Sequence, residues 1–337
     1  MKTVSIVIPS RNEEKYIADC LESIVNVRYP KELLSVLVCD GVSTDRTPQI
    51  ISSFEKKYPF IIHLRNDHHT TPYALNLGIQ HNDSDIVIIL GAHSTIAPDF
   101  IEKCIETFEI DPEIGCVGGI VENMFENSIS EIIGFAMSQP FGVGTAYFRT
   151  GTKDGYVDTV PFGAYKREVF EKIGYFDTNL IRNQDDEFNF RLTEAGFKIY
   201  LNREIKSYYV VRSSFSNLYK QYFQYGYWKV YVNKKHRRLT TLRQLIPFLF
   251  VIFLFGGLIL SVFSVPFMWF YFAVILIYLA TGFIVSFKKN LTLRMRFKVV
   301  ACFIILHIGY GFGYANGIGD FLINGDQPSR KMGELTR

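Results

Sequence analysis

Apolar and polar residues alternate in blocks through the first part of the chain, and the blocks predict strands and helices in turn. The apolar blocks are short and β-branched, which is typical of strands buried on both faces of a parallel sheet. They are Val4–Ile8, Val36–Cys39, Ile61–Leu64 and Asp85–Leu90. The stretches between them place apolar residues at helical spacing, as at Ile17, Cys20, Leu21 and Ile24. This order predicts repeated βαβ units and therefore a doubly wound α/β sheet.

The last third of the chain has a different pattern, because its apolar residues form long uncharged runs. Ile246–Val265 and Phe267–Phe287 are each about 20 residues long, which is enough to cross a bilayer, and Pro266 separates them. A third run, Val299–Phe312, is shorter and contains His307. We leave open whether the third run spans the membrane or re-enters it.

Basic and aromatic residues flank these apolar runs. Lys234–Arg238 precede the first run and Lys288–Lys289 follow the second, so a two-helix hairpin would place both basic segments on the cytoplasmic side. Phe215–Val232 is amphipathic and rich in tyrosine, which is typical of a helix in the membrane interface. The pattern therefore predicts a cytoplasmic α/β domain followed by interfacial and transmembrane helices.

Composition narrows the function classes. The net charge of +3 is too small to indicate a nucleic-acid-binding protein. The five cysteines are scattered without a CxxC pair, which argues for a reducing compartment and against disulfides or a structural zinc site. Met1-Lys2 runs directly into a strand pattern without a signal peptide, so we expect the amino-terminal half to stay in the cytoplasm.

The strand pattern Val36–Cys39 ends on Asp40, which is followed by a turn at Gly41. Open α/β sheets bind their ligands in the crevice outside the carboxyl ends of the strands. Ser43 and Thr44 can cap the next helix. An ordinary Asp turn explains this segment by itself as well as a ligand-binding carboxylate does. Motifs elsewhere in the chain therefore decide between these two interpretations.

Several segments together resemble an inverting family 2 glycosyltransferase of the GT-A fold. VSIVIPSRNEE, VCDGVSTDRT, ALNLGI and DIVIILGAH resemble the nucleotide-sugar half, and VPFGAYKREVFEKIGYFD and NQDDEFNFRL resemble the acceptor half. Within the family, the GAH segment and the carboxy-terminal membrane part resemble the ExoA-like group, which builds bacterial exopolysaccharide on lipid carriers.

The resemblance implies a GT-A domain with a mixed α/β sheet over residues 1–230. Its nucleotide-sugar half would cover residues 1–115 and its acceptor half residues 116–230. A basic interfacial linker at 231–245 would lead to a membrane region at 246–325 with two or three apolar helices.

The resemblance also implies a nucleotide site at the strand ends. A carboxylate can accept a hydrogen bond from the ring N–H of uracil, and the resemblance assigns that role to Asp40. Pro9, Arg11 and Glu13 in the first loop would line the nucleoside site, as would Asn66 after the third strand. Arg11 is equally well explained as a solvated surface charge.

The cation site departs from the family pattern. Family members carry Asp-x-Asp, and ExoA-like chains commonly carry Asp-Ala-His, whereas this chain has Gly91-Ala92-His93. The first carboxylate is therefore missing, and His93 occupies the last motif position. Imidazole suits Mn²⁺ better than Mg²⁺. Three interpretations stay open: a cation held by His93 with the diphosphate and water, a metal-independent reaction in which His93 donates to phosphate, or lost catalysis.

The acceptor half supplies the remaining candidates. Phe162–Lys166 resembles the segment that lies against the donor sugar, and Gly163 and Ala164 are its candidate residues. Asp185 takes the position of the catalytic base, with Gln184 in place of the family's Glu. Asp186 and Glu187 would lie beside the base in the acceptor cleft. Acidic residues also favour a helix N-terminus, which is physically sufficient for one or two of these three carboxylates.

Gln224 and Trp228 resemble the QxxRW motif of processive relatives, in which the tryptophan side forms an acceptor platform; Tyr227 stands where Arg would be. An interfacial anchor explains this segment at least equally well.

The function implied is inverting transfer of a sugar, most simply from a UDP-sugar, to a lipid-linked polyprenyl acceptor in polysaccharide or glycolipid assembly. The expected location is the cell membrane, with several membrane passes, a cytoplasmic catalytic domain and possible contacts with other polysaccharide-assembly enzymes. A polyprenyl-phosphate sugar synthase and a catalytically inactive nucleotide-sugar-binding subunit remain alternatives. A transporter is disfavoured by the large soluble half.

Overall fold

The computed structural model describes residues 1–240 and 242–326, which divide into two compact units. The first unit comprises residues 1–124 and 147–210, and the second comprises 125–146 and the described residues from 211 onward. The boundary expected near residue 230 falls within a helix of the second unit.

The strands of the first unit form one mixed sheet. In chain order they are β1 (Val4–Ser10), β2 (Leu34–Asp40), β3 (Ile61–Arg65), β4 (Ile86–Ile89), β5 (Ser94–Ile96), β6 (Ile114–Met124), β7 (Gly155–Val157), β8 (Ala164–Lys166) and β9 (Lys198–Val210). The sheet order is β3-β2-β1-β4-β8-β6-β9-β5, with β7 paired to β9. Strands β3, β2, β1 and β4 are mutually parallel, and β8 pairs antiparallel with both β4 and β6. The doubly wound mixed sheet is therefore confirmed.

Helices connect these strands and form most of the second unit. They are α1 (Ile17–Val25), α2 (Thr47–Lys57), α3 (Thr71–His81), α4 (Phe100–Phe108), α5 (Ser128–Met137), α6 (Pro140–Val143), α7 (Tyr147–Thr150), α8 (Arg167–Ile173), α9 (Gln184–Glu194), α10 (Phe215–His236), α11 (Ile246–Phe263), α12 (Val265–Val285) and α13 (Leu293–Gly317). Helices α5, α6 and α10–α13 belong to the second unit.

Both faces of the parallel strands are buried, which explains their continuous apolar runs. Ile6 and Ile8 contribute to one hydrophobic cluster, whereas Val7 between them contributes to the cluster on the opposite face. Val36 and Leu37 alternate in the same way on the neighbouring strand. The strands therefore need no polar alternation, and polar residues concentrate where the strands end.

Three helices of the second unit are long and apolar enough to cross a membrane: 243–263, 265–288 and 293–323. The last one is longer than the run predicted from the sequence, because α13 continues as a helix through its glycines and ends in a π-helical turn, Ile318–Ile323. Length and composition therefore make the third helix a candidate span as well.

Helix α10 packs closely against α13 within the second unit. A Cβ added at Gly313 would lie 1.9 Å from the carbonyl oxygen of Phe223, and one added at Gly226 would lie 2.0 Å from that of Tyr310. Only glycine permits such an approach of two helix backbones. One face of α10 is therefore buried on another helix of its own unit, a constraint that its amphipathic sequence did not reveal.

Candidate functional site

Three polar strand ends lie side by side at the carboxyl edge of the sheet. The register pairs Ser10 with Asp40 and Asp40 with Arg65. Asp40 is only 5% exposed, and its carboxylate accepts hydrogen bonds from the backbone N–H of Ser43 at 3.1 Å and from the Ser43 hydroxyl at 2.5 Å. The turn after β2 therefore holds the Asp40 carboxylate in the position that the sequence predicted, at the end of a central strand.

The loop after β1 is bound to the turn after β2. Asn12, with a positive φ of 55°, donates its N–H to the Ser43 hydroxyl and accepts from the N–H of Thr44 through its side-chain oxygen, both at 2.8 Å. Arg11 is exposed, and its Cβ and Cδ lie 3.4 Å from where a Cβ on Gly41 would be. These contacts place Arg11 beside the Asp40 turn. Pro9 is half-buried within β1.

Asn66 organises the loop that follows β3. Its N–H donates to the carbonyl of Asp40 at 2.8 Å, and its side chain donates to the carbonyl of Thr70 and accepts from the N–H of His68. The His68 ring stacks on Tyr73 with a centroid separation of 3.9 Å. The side chain of Asn66, 3% exposed, thus holds the loop after β3 in place beside the Asp40 turn.

His93 meets Glu13 across the ends of β1 and β4. The Nδ1 atom of His93 lies 3.2 Å from the Oε1 atom of Glu13, and the two side chains are 24% and 13% exposed. The ring of Tyr209 contacts the His93 ring in an edge-on arrangement, with centroids 5.4 Å apart. The sequence assigned Glu13 and His93 to separate sites, and the sheet order brings them together.

The surroundings of Gly91 decide whether a cation fits here. Among the described residues, no group of three or more His, Cys, Asp or Glu side chains could hold a metal ion. The His93 imidazole beside the Glu13 carboxylate therefore fits only an ion that takes most of its ligands from a bound diphosphate and water, as divalent ions at nucleotide sites commonly do. The buried hydroxyl of Ser94 has no hydrogen-bond partner among the described residues and lies 3.5 Å from where a Cβ on Gly91 would be.

The segment before β8 lies against this edge. The N–H of Ile89 donates to the carbonyl of Gly163 at 3.0 Å, and Ala164 is fully buried in the sheet. Gly163 itself leaves no room for a side chain, because a Cβ there would lie 2.9 Å from the sulfur of Cys116. The side chain that faces Gly91 is Phe162, whose φ is 48° and whose ring lies 3.4 Å from the position of a Gly91 Cβ. The sequence placed Phe162 at the start of the segment expected against the donor sugar, but it did not include Phe162 among the candidate site residues.

The three carboxylates at the start of α9 have different surroundings. Asp185 is exposed, Asp186 is half-buried, and Glu187 is fully buried. Glu187 forms a bidentate ion pair with Arg191, at 2.9 and 3.0 Å, and Arg191 also donates to the carbonyl of Ile173. Glu187 therefore stabilises the packing of α9 instead of lining an open cleft, and we leave it out of the proposed site.

Asp185 lies one helical turn before Asn189, on the same face of α9. The Asn189 side chain accepts from the Tyr165 hydroxyl and donates to Thr159, both at 3.0 Å. Burial raises the pKa of Tyr165 well above its ordinary value, and the charges of Cys116 and Asp185 add to the effect. Tyr165 therefore remains a neutral hydrogen-bond donor. The Asp185 carboxylate is close enough to β8 for its charge to affect the pKa of Tyr165.

Gln224 and Trp228 lie on α10 in the second unit. The Trp228 indole is 0% exposed and packs among the rings of Tyr227, Tyr231 and Phe321. A fully buried ring has no face that could contact a sugar. Trp228 therefore stabilises the packing of its helix against the neighbouring aromatic rings. We therefore leave Trp228 out of the proposed site; Gln224, which is half-buried one turn before it on α10, stays a prediction.

Comparisons with protein families and with curated proteins find extended similarity to this chain. The family described as Glycosyl transferase family 2 matches residues 5–174. A Methanococcus voltae protein, dolichyl N-acetyl-alpha-D-glucosaminyl phosphate 3-beta-D-2,3-diacetamido-2,3-dideoxy-beta-D-glucuronosyltransferase, is 39% identical over 234 residues, which cover 67% of this chain and 72% of the relative. The succinoglycan biosynthesis protein ExoA of Rhizobium meliloti is 27% identical over 256 residues, covering 75% and 77%.

Solved structures show the same fold. The mannosyltransferase PcManGT from Pyrobaculum calidifontis, in complex with GDP-Man and Mn²⁺, superposes with a TM-score of 0.64 at 18% identity, covering 92% of this chain and 87% of that one. S. aureus TarS 1–349 in complex with UDP superposes with a TM-score of 0.52 at 14% identity, covering 96% and 92%. At these identities the likeness shows the fold, which is GT-A-like.

Proposed function

The chain belongs to glycosyl transferase family 2, and from that premise we propose that this glycosyltransferase moves a sugar from a nucleotide sugar to a lipid-linked acceptor with inversion at the anomeric carbon. The observation that carries the proposal is the gathering of polar groups at one sheet edge. Asp40, Glu13 and His93 follow three neighbouring parallel strands, and Asp185 begins the helix that packs beside the antiparallel neighbour β8.

The donor side of the reaction begins with the nucleotide. The shielded Asp40 carboxylate has lone pairs beyond those used by Ser43, so it can accept the ring N–H of uracil. This chemistry favours a UDP-sugar. His93, with a divalent cation, would hold the diphosphate, and Mn²⁺ suits an imidazole ligand better than Mg²⁺ does. When bound, the cation supplies positive charge that offsets the charge of the leaving diphosphate.

The acceptor side requires a base. An alcohol is a weak nucleophile, and a positioned carboxylate can take its proton as the new bond forms between the acceptor oxygen and the anomeric carbon. The bond from that carbon to the diphosphate oxygen breaks in the same step, which inverts the configuration. We assign the base to Asp185, because it is the exposed carboxylate on the α9 face that contacts β8 through Asn189.

A lipid-linked acceptor is supported by two independent features. The relative from Methanococcus voltae is named for a dolichyl-phosphate-linked sugar acceptor, and the second unit of this chain has three helices that could cross a membrane. Basic residues border these helices at Lys234–Arg238 and Lys288–Lys289, which favours several membrane passes with the catalytic unit on the cytoplasmic side.

The full chain, purified in detergent, provides the test. It is incubated with a panel of nucleotide sugars and lipid-linked acceptors, with and without Mn²⁺, while nucleoside diphosphate release is measured. We expect release that depends on both a UDP-sugar and a lipid-linked sugar alcohol. Release with a bare polyprenyl phosphate instead would indicate a polyprenyl-phosphate sugar synthase. Binding of the donor without any transfer would favour an inactive nucleotide-sugar-binding subunit. The glycine at position 91, where family members carry a carboxylate, is the observation that favours this second function.

A further inference from the structure

The pair of Glu13 and His93 has a defined geometry that the sequence pattern does not contain. The two residues are 80 positions apart, and they meet because β1 and β4 are adjacent parallel strands. Their 3.2 Å separation between Oε1 and Nδ1 is a hydrogen-bond distance. Both side chains are largely shielded from solvent, where a charge-assisted hydrogen bond is stronger than it is in water.

The backbone around Glu13 is held from both sides. Its N–H donates to the Thr47 hydroxyl at 2.8 Å, and its carbonyl accepts from the N–H groups of Tyr16 and Ile17, both at 2.9 Å. The carboxylate therefore projects from a fixed point just before α1. On the other partner, the edge-on contact with Tyr209 restricts the orientation of the His93 ring.

A carboxylate at Nδ1 has a specific consequence for the imidazole. When Nδ1–H donates to the carboxylate, the ring is in the tautomer whose lone pair lies on Nε2. That lone pair is then free to bind a cation. Histidines that ligate metals almost always donate their other ring N–H to such a partner, which orients the ring and raises its basicity. Glu13 is thus placed as the orienting partner of His93.

We propose that Glu13 is a positioning residue that directs Nε2 of His93 toward a divalent cation held with the donor diphosphate, in compensation for the carboxylate missing at Gly91. The proposal rests on the proposed function, because the diphosphate must supply the other ligands. Mn²⁺ binding should therefore require a nucleoside diphosphate. The imidazole ligand should also favour Mn²⁺ over Mg²⁺.

The test measures Mn²⁺ binding and does not use turnover. Free Mn²⁺ is followed by its electron paramagnetic resonance signal while it is titrated into the full-length protein in detergent, with and without saturating UDP. Wild type should bind Mn²⁺ only with UDP present. Glu13→Gln should weaken that affinity about 10–100-fold, the usual effect of removing such a partner, and His93→Ala should weaken it at least as much.

Glu14→Gln is the matched control, because the same change is made at the next residue. The Glu14 carboxylate pairs with Arg46 at 3.2 Å and is 41% exposed. We expect Mn²⁺ affinity of this variant to match wild type within about twofold, as befits an exposed surface pair.

A rescue variant separates positioning from general damage to the fold. Gly91→Asp in the Glu13→Gln background should restore Mn²⁺ binding and raise Mg²⁺ affinity, since it supplies an oxygen ligand. The φ of Gly91 lies outside the left-handed region, and a Cβ there would meet its neighbours at 3.4–3.7 Å, which are ordinary contacts.

Three results would overturn the inference while the proposed function stands: wild-type protein that binds UDP but never Mn²⁺, Glu13→Gln with wild-type Mn²⁺ affinity, or equal losses in Glu13→Gln and Glu14→Gln. Failure of wild-type protein to bind UDP or any other nucleotide would instead refute the proposed function itself.

Discussion

Replacing Asp185 with asparagine removes the proposed base while it preserves the size of the side chain. General-base assistance is worth about 10²–10⁴-fold in rate. That range corresponds to about 2.7–5.4 kcal/mol of activation free energy. We expect turnover to fall by this factor, with the KM for the donor nearly unchanged, because Asp185 serves the acceptor.

The surroundings of Asp185 predict that the loss will not come from unfolding. The side chain is exposed in the first turn of α9, so its charge is largely solvated, and its favourable interaction with the helix dipole is worth about 0.3–1 kcal/mol. This cost is well below the expected catalytic effect. Thermal unfolding of the variant should therefore resemble that of wild type, even as turnover falls.

The assay measures release of nucleoside diphosphate at saturating donor while the lipid-linked acceptor is varied. Asp186→Asn is the matched control, because it makes the same change in the same helical turn; it should have a much smaller effect. A large loss in Asp186→Asn alone would move the base to the next residue. Wild-type turnover in Asp185→Asn would refute the assignment, and would show that the base lies elsewhere or that the acceptor needs none.

Other expectations follow from single contacts. Asp40→Ala should weaken UDP binding by about 1.5–3 kcal/mol, the scale of a charged hydrogen bond, and calorimetry showing equal affinity would remove Asp40 from the site. Glu187→Gln should lower the free energy of unfolding by about 3–5 kcal/mol, because it leaves Arg191 without its buried partner; an unchanged denaturation midpoint would contradict this. The Asp111 carboxylate has its pKa lowered from 3.8 to about 2, chiefly by its hydrogen bond from Tyr156. A depressed pKa stabilises the folded state above pH 3.8 and loses that effect as pH falls toward 2, so Asp111→Asn should flatten acid unfolding in this window.

The positions of the four parallel strands β1–β4 could be predicted from the sequence, whereas the parallel partner of β6, the long strand β9, was not predicted. Strands buried on both faces are apolar at most positions, so the strands at Val4–Ile8 and Val36–Cys39 could be predicted from their run of apolar residues, in spite of the buried Ser5. Helix α1 was equally clear, since its four buried residues recur at helical spacing. The position of Asp40 at the end of β2 followed from the same reasoning, because a strand end is a local feature; its role in nucleotide binding is implied by the resemblance alone and stays a prediction.

Burial of individual polar and aromatic groups could not be predicted in this way. Glu187 is one of three acidic residues at a helix start, and only the packing of α9 decides that it turns inward to Arg191. Trp228 lies on an amphipathic helix that is typical of a membrane interface, yet its indole packs against Tyr231 and Phe321 and is fully buried. Such choices depend on which surfaces meet, and periodicity within one segment holds no information about its partner.

The amino-acid sequence by itself determined the first four strands, helix α1, the two long apolar helices and the resemblance to the family that the comparisons confirm, because each depends on local composition or on motifs read in order. Only the tertiary structure decided that Glu13 and His93 form a pair. Their meeting depends on β1 lying beside β4, a non-local pairing that brings together side chains 80 residues apart. A second non-local pairing, β4 with β8, places Gly91 beside Phe162, since hydrogen bonds between strands set which side chains share an edge of the sheet.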